Sequence, residues 1–214
     1  MNDTRSRNME KRRRRILEQA RKMLAEGGFD ALNLRDLAEV SQITVPTIYN
    51  LIGNKEQVLQ ALVLGGFEDF EAELESKPPR SAADMPALMM TTLAEMIARD
   101  VDYYRATALA SERVEVESKT QAEYGFKRAP LRKFAGKLCR DALDEGLLRG
   151  SIPTEALVEQ MISNHQVAFR DWAHRIISLQ ELKAQSLRGF YIALAADAVD
   201  EFRDRIVREL RELS

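Results

Sequence analysis

Residues 33–57 read NLRDLAEVSQITVPTIYNLIGNKEQ, and this stretch decides the fold. The spacing of its apolar residues predicts two short helices, one over residues 34 to about 40 and one over residues 45 to about 51. Asn33 and Thr44 precede these helices and are typical N-cap residues, whose side-chain oxygens accept hydrogen bonds from the first turn. Two short helices that are joined by a tight turn have the geometry of a helix-turn-helix.

Further helices flank this motif on both sides. On the N-terminal side, apolar residues at spacings of three and four predict a helix from about Met9 to Glu26, which Gly27-Gly28 ends. On the C-terminal side, Asn54 begins a helix that continues to about residue 75, and Gln57 stands where a capping box needs it. The first three helices predict an N-terminal helix-turn-helix DNA-binding domain over residues 1–55, with a basic N-terminal arm.

The rest of the chain also has helical periodicity. Residues 77–81, with two adjacent prolines, interrupt it. The expected helices beyond them cover residues of about 84–99, 101–115, 117–147, 153–177 and 179–213. Pro130 is expected to kink or split the third of these, and the last could divide near residues 197–200. Because no stretch alternates as a half-buried strand does, the predicted fold class is all-α, with residues 56–214 forming a second helical domain.

Charge is distributed unevenly along the chain. The net charge is −2, yet nine of the first 22 residues are Lys or Arg and three are acidic. A basic end on an otherwise acidic protein is typical of a polyanion partner, although a solvated basic tail gives the same pattern. Because the helix-turn-helix follows directly, we interpret the run Arg12–Arg15 as an arm that lies near DNA, with some of its arginines in solvent.

Composition restricts the remaining classes. No apolar run is long enough to span a membrane, and the polar N-terminus does not have the pattern of a secretory signal. A single cysteine, Cys139, excludes an internal disulfide and favours a reducing, cytoplasmic environment. With only His165 and His174 beside it, no metal site is expected.

Three segments resemble the TetR family of transcriptional regulators. They are ILEQARKMLAEGGFDALNLRDLAE at residues 16–39, PTIYN at 46–50 and GNKEQVL at 53–59. The resemblance covers about residues 10–62 and departs from the family pattern in three places. Gln42 stands where glycine is usual, Asn50 where histidine is commonest, and Leu51-Ile52 where two aromatic residues are usual. These departures concern the groove-facing chemistry and the operator.

The resemblance implies a homodimeric regulator in which residues 56–214 form a helical effector-binding and dimerisation domain. The leading hypothesis is a repressor that a small, largely apolar ligand releases from a palindromic operator. Tyr49 and Lys55 would grip phosphates, Thr44 and Thr47 would touch phosphates or base edges, and Asn50 could read adenine. The predicted DNA-binding residues are Arg12, Arg13, Asn33, Arg35, Thr44, Val45, Pro46, Thr47, Tyr49, Asn50 and Lys55. Tyr49 could instead be a half-buried core aromatic, Lys55 could be merely solvated, and Thr44 is a helix cap in either case.

The C-terminal half carries two apolar stripes, one on each of the helices expected over residues 153–177 and 179–213. By resemblance these two helices would pair across a dimer as a four-helix bundle, although each stripe also serves the core of its own protomer. The residues predicted at the dimer interface are Leu157, Met161, Ala168, Tyr191, Leu194, Ala198 and Phe202.

Middle helices would enclose the effector. Pockets for such ligands are mostly apolar with a few polar groups, and Asn164-His165 interrupts an apolar helix. A satisfied core histidine would give the same pattern. The predicted ligand-binding residues are Met89, Leu93, Met96, Tyr103, Tyr104, Thr107, Phe126, Asn164, His165, Phe169 and Trp172.

Enzymatic activity is not expected, and neither is a cofactor. The chain has no glycine-rich phosphate loop, no HExxH and no GxSxG motif. A third class stays open, because the departures at Gln42, Asn50, Leu51 and Ile52 are compatible with an interaction module that has kept the fold and lost DNA binding. The predicted partners are operator DNA, a second copy of the chain and a small-molecule effector, with no membrane.

Overall fold

The computed structural model describes residues 2–117 and 128–213. Over these two ranges the chain is helical and has no β-strand, which confirms the predicted all-α class. The helices are α1 (Asn2–Ala31), α2 (Leu34–Val40), α3 (Val45–Leu51), α4 (Lys55–Ser76), α5 (Met85–Arg99), α6 (Val101–Glu117), α7 (Arg128–Asp144), α8 (Thr154–Ala173), α9 (Leu179–Ala195) and α10 (Asp200–Glu212). A short 3-10 helix, Ala82–Asp84, precedes α5.

Packing divides the chain into two compact units. The first unit contains α1, α2, α3, the part of α4 up to Phe67, and the described residues from Asp100 to the end of α6. Its core is apolar and fully buried, because one face of each helix turns inward. The buried side chains of this core include Ile16, Ala20, Leu24, Leu37, Ile48, Val58, Leu59 and Tyr103.

The first unit extends beyond the domain expected from sequence. Helix α6 packs on α1 and contributes Tyr103 and Ala110 to the same core, so packing groups it with the N-terminal helices. The domain boundary predicted between residues 55 and 56 separates two roles, DNA binding and effector binding. That assignment of roles remains a prediction.

The second unit is built around α9. It contains Glu68–Arg99 and the described residues from Arg128 onward, and α9 packs on α8, α5 and α10. Helices α8 and α9 approach closely at Gly189. A Cβ atom placed there would lie 2.6 Å from the Cβ of Asn164, so this crossing requires glycine.

Asp197 fixes the junction between α9 and α10. Its buried carboxylate accepts hydrogen bonds from the backbone N–H groups of Gly150, Ser151 and Ile152 at 2.8 to 3.1 Å. Its backbone carbonyl also accepts from the N–H of Arg149. The loop after α7 is thereby held against the start of α10, because buried N–H groups need partners.

Several helix bounds differ from the sequence-based expectations. Helix α1 begins at Asn2 rather than near Met9, and Gly28 interrupts its helical geometry with a φ of 68°. The described part of the helix expected over 117–147 is α7, with Pro130 in its first turn, where a missing N–H costs nothing. Helix α8 ends at Ala173, before Arg175 with a φ of 62°. The segment 179–213 is divided into α9 and α10, as the sequence allowed.

Candidate nucleic-acid interface

The turn between α2 and α3 is tight and well anchored. The side chain of Asn33 accepts a hydrogen bond from the N–H of Asp36 at 2.9 Å, which confirms the predicted cap of α2. Ser41 is completely buried, and the N–H of Ile43 donates to the carbonyl of Ala38 at 3.0 Å. Gln42 between them adopts a left-handed φ of 53°. A backbone in this region favours glycine, so it is costly for a residue that carries a Cβ atom.

Thr44 does not cap α3 with its side chain. Its backbone is extended, as an N-cap requires, but the hydroxyl makes no hydrogen bond to the first turn. The Thr44 Oγ1 instead lies 2.9 Å from the Thr47 Oγ1. The predicted side-chain cap is therefore wrong, because the two hydroxyls satisfy each other at the exposed start of the helix.

Helix α3 has one buried face and one polar face. Ile48 is completely buried and fixes the helix to the core, whereas Thr44, Pro46 and Asn50 are exposed. Tyr49 is 55% exposed, so it is not a core aromatic in this structure. Val45 and Thr47 are partly exposed. Small, polar and aromatic groups are thus available along the solvent side of a helix-turn-helix.

The start of α4 is rigid. The predicted capping box is present: the Asn54 N–H donates to Gln57 Oε1, and the Gln57 N–H donates to Asn54 Oδ1, both at 2.9 Å. Gly53 has a φ of 130°, and a Cβ there would lie 1.9 Å from Gln57 Oε1. Only glycine therefore fits before the box, and the backbone of Lys55 is held in one conformation.

Lys55 is not merely solvated. Its Nζ lies 4.1 Å from the centroid of the Phe29 ring, within the range of a cation–π contact. Arg113 lies 5.9 Å from the same centroid and forms an ion pair with Asp30 at 2.8 Å. Sequence reasoning did not find Phe29, because nothing in the local pattern indicates which ring a lysine will contact 26 positions away.

The remaining predicted DNA-binding residues lie on α1 and α2. Asn33 and Arg35 are exposed at the start of α2, although the Asn33 side chain is engaged by Asp36. On α1, Arg12 is exposed and Arg13 is partly buried. At 100° per residue, Lys11, Arg14, Arg15 and Lys22 lie opposite the buried face, as a basic stripe.

Residues 16–62 match the model of a family described as bacterial regulatory proteins, tetR family. In this N-terminal segment the chain is similar to the TetR family. The match covers the whole helix-turn-helix and the start of α4, which are the elements whose geometry is described above.

A curated protein also matches part of the chain. The chain is 26% identical over 98 residues to the HTH-type transcriptional repressor KstR of Rhodococcus jostii (strain RHA1). That alignment covers 46% of each protein, so the chain matches about half the length of this curated relative.

Solved structures share the fold. SmeT, the repressor of the Stenotrophomonas maltophilia multidrug efflux pump SmeDEF, has a TM-score of 0.64 at 21% identity, over 89% of this chain and 92% of SmeT. The regulator FadR of Bacillus subtilis, in complex with stearoyl-CoA, has a TM-score of 0.66 at 16% identity, over 84% of this chain and 96% of FadR. At these identities the similarity establishes the fold alone.

The predicted ligand-binding residues fall in both units. Tyr103, Tyr104 and Thr107 belong to the first unit, and Phe126 lies outside the described residues. The Tyr103 ring packs on Arg21, with 4.0 Å from the guanidinium carbon to the ring centroid, and its hydroxyl donates to the Leu62 carbonyl. Burial raises the pKa of Tyr103 to about 12. These contacts give Tyr103 a structural role.

The other predicted ligand residues belong to the second unit. Met89, Met96, His165 and Trp172 are buried there, and Leu93, Asn164 and Phe169 are partly exposed. His165 Nδ1 lies 3.0 Å from Ser186 Oγ, and desolvation lowers the pKa of the imidazole to about 4. The Phe169 ring lies between those of His165 and Trp172, at 5.7 and 5.4 Å. The imidazole of His165 therefore has a hydrogen-bond partner within the protomer, as expected for a core histidine, which was the alternative to a ligand-binding role.

The residues predicted at the dimer interface are buried within the second unit. Leu157, Met161, Ala168, Tyr191, Leu194, Ala198 and Phe202 all have exposures of 4% or less. Their stripes pack the helices of one protomer against each other, so these side chains leave little surface for a second copy. The apolar residues that remain exposed on α8 and α9 are others, Val167 at 50% and Ile192 at 54%.

No helix in the described ranges has the length and apolar character that a membrane span needs.

Proposed function

We propose that this protein is a homodimeric transcriptional repressor that binds a palindromic operator through α3. The observation that carries the proposal is the exposed polar face of α3, anchored from behind by the buried Ile48. The N-terminal part of such a helix enters the major groove, where side chains reach base edges. The first unit provides this helix on a rigid core.

Each exposed residue has a role that its chemistry suits. Asn50 can donate to and accept from an adenine edge, and Thr47 can contact a base edge or a phosphate. The Tyr49 hydroxyl and the Lys55 ammonium would bind phosphates, which fix the register of the helix on the duplex. Lys55 stands in the first turn of α4, where unpaired N–H groups also attract a phosphate. Arg12 and Arg13 would lie near the backbone as an arm.

The descriptions of two similar proteins favour repression over activation. KstR and SmeT are both described as repressors. A protein that covers its operator excludes polymerase without needing a further contact. We therefore propose repression as the default activity of this chain.

The second copy would dock on the outward faces of α8 and α9. Residues 160, 163, 167 and 170 share one exposed face of α8, and residues 181, 185, 188 and 192 share one face of α9. Val167 and Ile192 supply exposed apolar surface there. A two-fold arrangement would present two α3 helices to half-sites about one helical turn apart, ~34–36 Å.

A largely apolar small molecule is the proposed effector. FadR of Bacillus subtilis, which has the same fold, is in complex with stearoyl-CoA. In this chain the second unit offers methionines on α5 and the row of His165, Phe169 and Trp172 on α8. The effector would release DNA by binding one of two conformations more tightly than the other.

In-vitro selection of duplexes from a random pool tests the DNA-binding proposal. We expect the wild-type protein to enrich a palindrome with half-sites about 10 base pairs apart. The double variant Tyr49→Ala/Lys55→Met should enrich it weakly or not at all. Lys137→Met removes a charge from α7 in the second unit and serves as the matched control. Absence of any enriched duplex with wild-type protein would reject the proposal.

A further inference from the structure

An aromatic platform lies beneath the cation that starts α4. The Nζ of Lys55 is 4.1 Å from the centroid of the Phe29 ring, and both side chains are partly buried. The π-face of the ring is electronegative, so it attracts an ammonium at this distance. The contact joins the end of α1 to the first residue of α4.

We propose that Phe29 is a positioning residue, which holds the Lys55 ammonium ready for a phosphate of the operator; the inference rests on the proposed DNA-binding function. A free lysine side chain samples many rotamers and loses that freedom when it binds. A ring that already restricts the side chain lowers this cost. The phosphate contact would then be stronger than a lysine in open solvent could provide.

Both ends of the contact are fixed by the fold. Phe29 packs against the core of the first unit, and Gly28 interrupts the helical geometry of α1 immediately before it. On the other side, the reciprocal hydrogen bonds between Asn54 and Gln57 hold the backbone around Lys55. The position of the ammonium is therefore determined by two rigid elements.

The charge of Lys55 stays available. Among the described residues, no carboxylate lies within ion-pair distance of its Nζ. The second cation near the ring, Arg113, is paired with Asp30 at 2.8 Å. That carboxylate offsets the charge of Arg113 and reduces repulsion between the two cations. Lys55 is thus the cation that the ring presents without an acidic partner.

A double-mutant cycle on the full-length chain tests the inference. Binding of the selected duplex is measured by fluorescence anisotropy for wild type, Phe29→Leu, Lys55→Met and the double variant. The substitution Lys55→Met removes one phosphate contact from each protomer of the proposed dimer, so we expect a decrease of about two units in the salt slope and a loss of affinity of about tenfold or more at 0.1 M salt. Phe29→Leu should weaken binding about two- to fivefold when Lys55 is present, and should have no effect when residue 55 is methionine.

Phe29→Tyr keeps the π-face and should restore wild-type affinity. Phe29→Met, which is flexible and similar in volume, serves in place of leucine if that variant does not fold. An equal loss for Phe29→Leu in both backgrounds would assign the ring a purely structural role and overturn the inference. So would an unchanged salt slope in Lys55→Met. A wild-type protein that binds no duplex at low salt would instead reject the proposed function itself.

Discussion

At the scale of single residues, Gln42 bears the strain of the helix-turn-helix. A left-handed backbone costs a residue with a Cβ about 1–2 kcal/mol, and Gln42 has a φ of 53°. Gln42→Gly should therefore raise the free energy of unfolding by about 0.5–1 kcal/mol, after the larger entropy of glycine in the unfolded chain is subtracted. Urea denaturation measures this change.

The matched control is Gln19→Gly, in the helical part of α1. There the same substitution should lower the free energy of unfolding by about 1 kcal/mol, because the backbone is already α-helical. If Gln42→Gly also destabilised the protein, the turn would not have the conformation described above.

The buried His165 gives stability a pH dependence. Its pKa is lowered to about 4 by desolvation, whereas the unfolded imidazole keeps its ordinary value of 6.5. Between these values the unfolded chain binds more protons, so the free energy of unfolding decreases as the pH falls. Lowering the pH from 7 to 5 should cost about 2 kcal/mol through this one group.

His165→Gln should make the pH dependence between 5 and 7 flatter by that amount in urea denaturation. His174, the other histidine, is exposed, and His174→Gln is the matched control for the loss of an imidazole. Equal slopes for wild type and His165→Gln would show that the imidazole is protonated in the folded protein too.

The sequence predicted the exposed polar side of α3 better than it predicted the hydrogen bonds at the start of that helix. The apolar period predicted that Ile48 faces inward and Asn50 outward, as the structure has them, whereas it left a half-buried core position open for Tyr49, which the structure exposes. The hydroxyl pair of Thr44 and Thr47 was not foreseen, because a threonine at an N-cap position has two nearby partners of similar energy. Local sequence does not choose between them.

At the scale of elements, Asp197 is the side chain on which the end of the second unit depends. It accepts three backbone hydrogen bonds from the loop after α7 while almost completely buried. Asp197→Ala would leave these N–H groups without partners, so the free energy of unfolding should fall by about 2–4 kcal/mol. Thermal unfolding followed by circular dichroism measures the loss.

Asp200 provides the comparison for this prediction. Its side chain is 90% exposed and forms an ion pair with Arg149, and exposed pairs contribute little. Asp200→Ala should therefore change stability by less than about 1 kcal/mol. If the two variants were equally mild, water would replace the hydrogen bonds of Asp197, and the loop would not depend on it.

Helix boundaries were predictable where a strong local signal exists. The capping box at Asn54 and Gln57 and the glycine before it set the start of α4 at the expected residue. The break between α9 and α10 lacks such a signal, since no glycine or proline marks residues 196–199. A tertiary contact, the acceptance of loop N–H groups by Asp197, accompanies that break.

At the scale of the whole molecule, the apolar stripes of α8 and α9 had two possible uses. Periodicity shows that a face is buried and does not say whether the same chain or a second copy covers it. The structure buries Met161, Tyr191 and Leu194 within one protomer. The proposed interface is therefore a different face, which sequence alone did not separate from the first.

Val167→Glu/Ile192→Glu tests that face. Two charges in the proposed interface should convert the dimer to a monomer, because like charges would face each other across the two-fold axis. Size-exclusion chromatography with light scattering measures the mass. Val207→Glu on α10, where the valine is 38% exposed, is the control that should remain dimeric. A dimer that persists in the double variant would place the interface elsewhere.

The most direct test of the central claim is the affinity of the wild-type protein for its selected duplex at 50 and 200 mM salt. If α3 lies in the major groove of both half-sites, binding should be about 10³-fold or more tighter than to a shuffled duplex. It should also weaken steeply with salt, by about 10³-fold or more if six or more phosphates are contacted. Equal, salt-independent affinity for both duplexes, or no binding at 50 mM salt, would contradict the account.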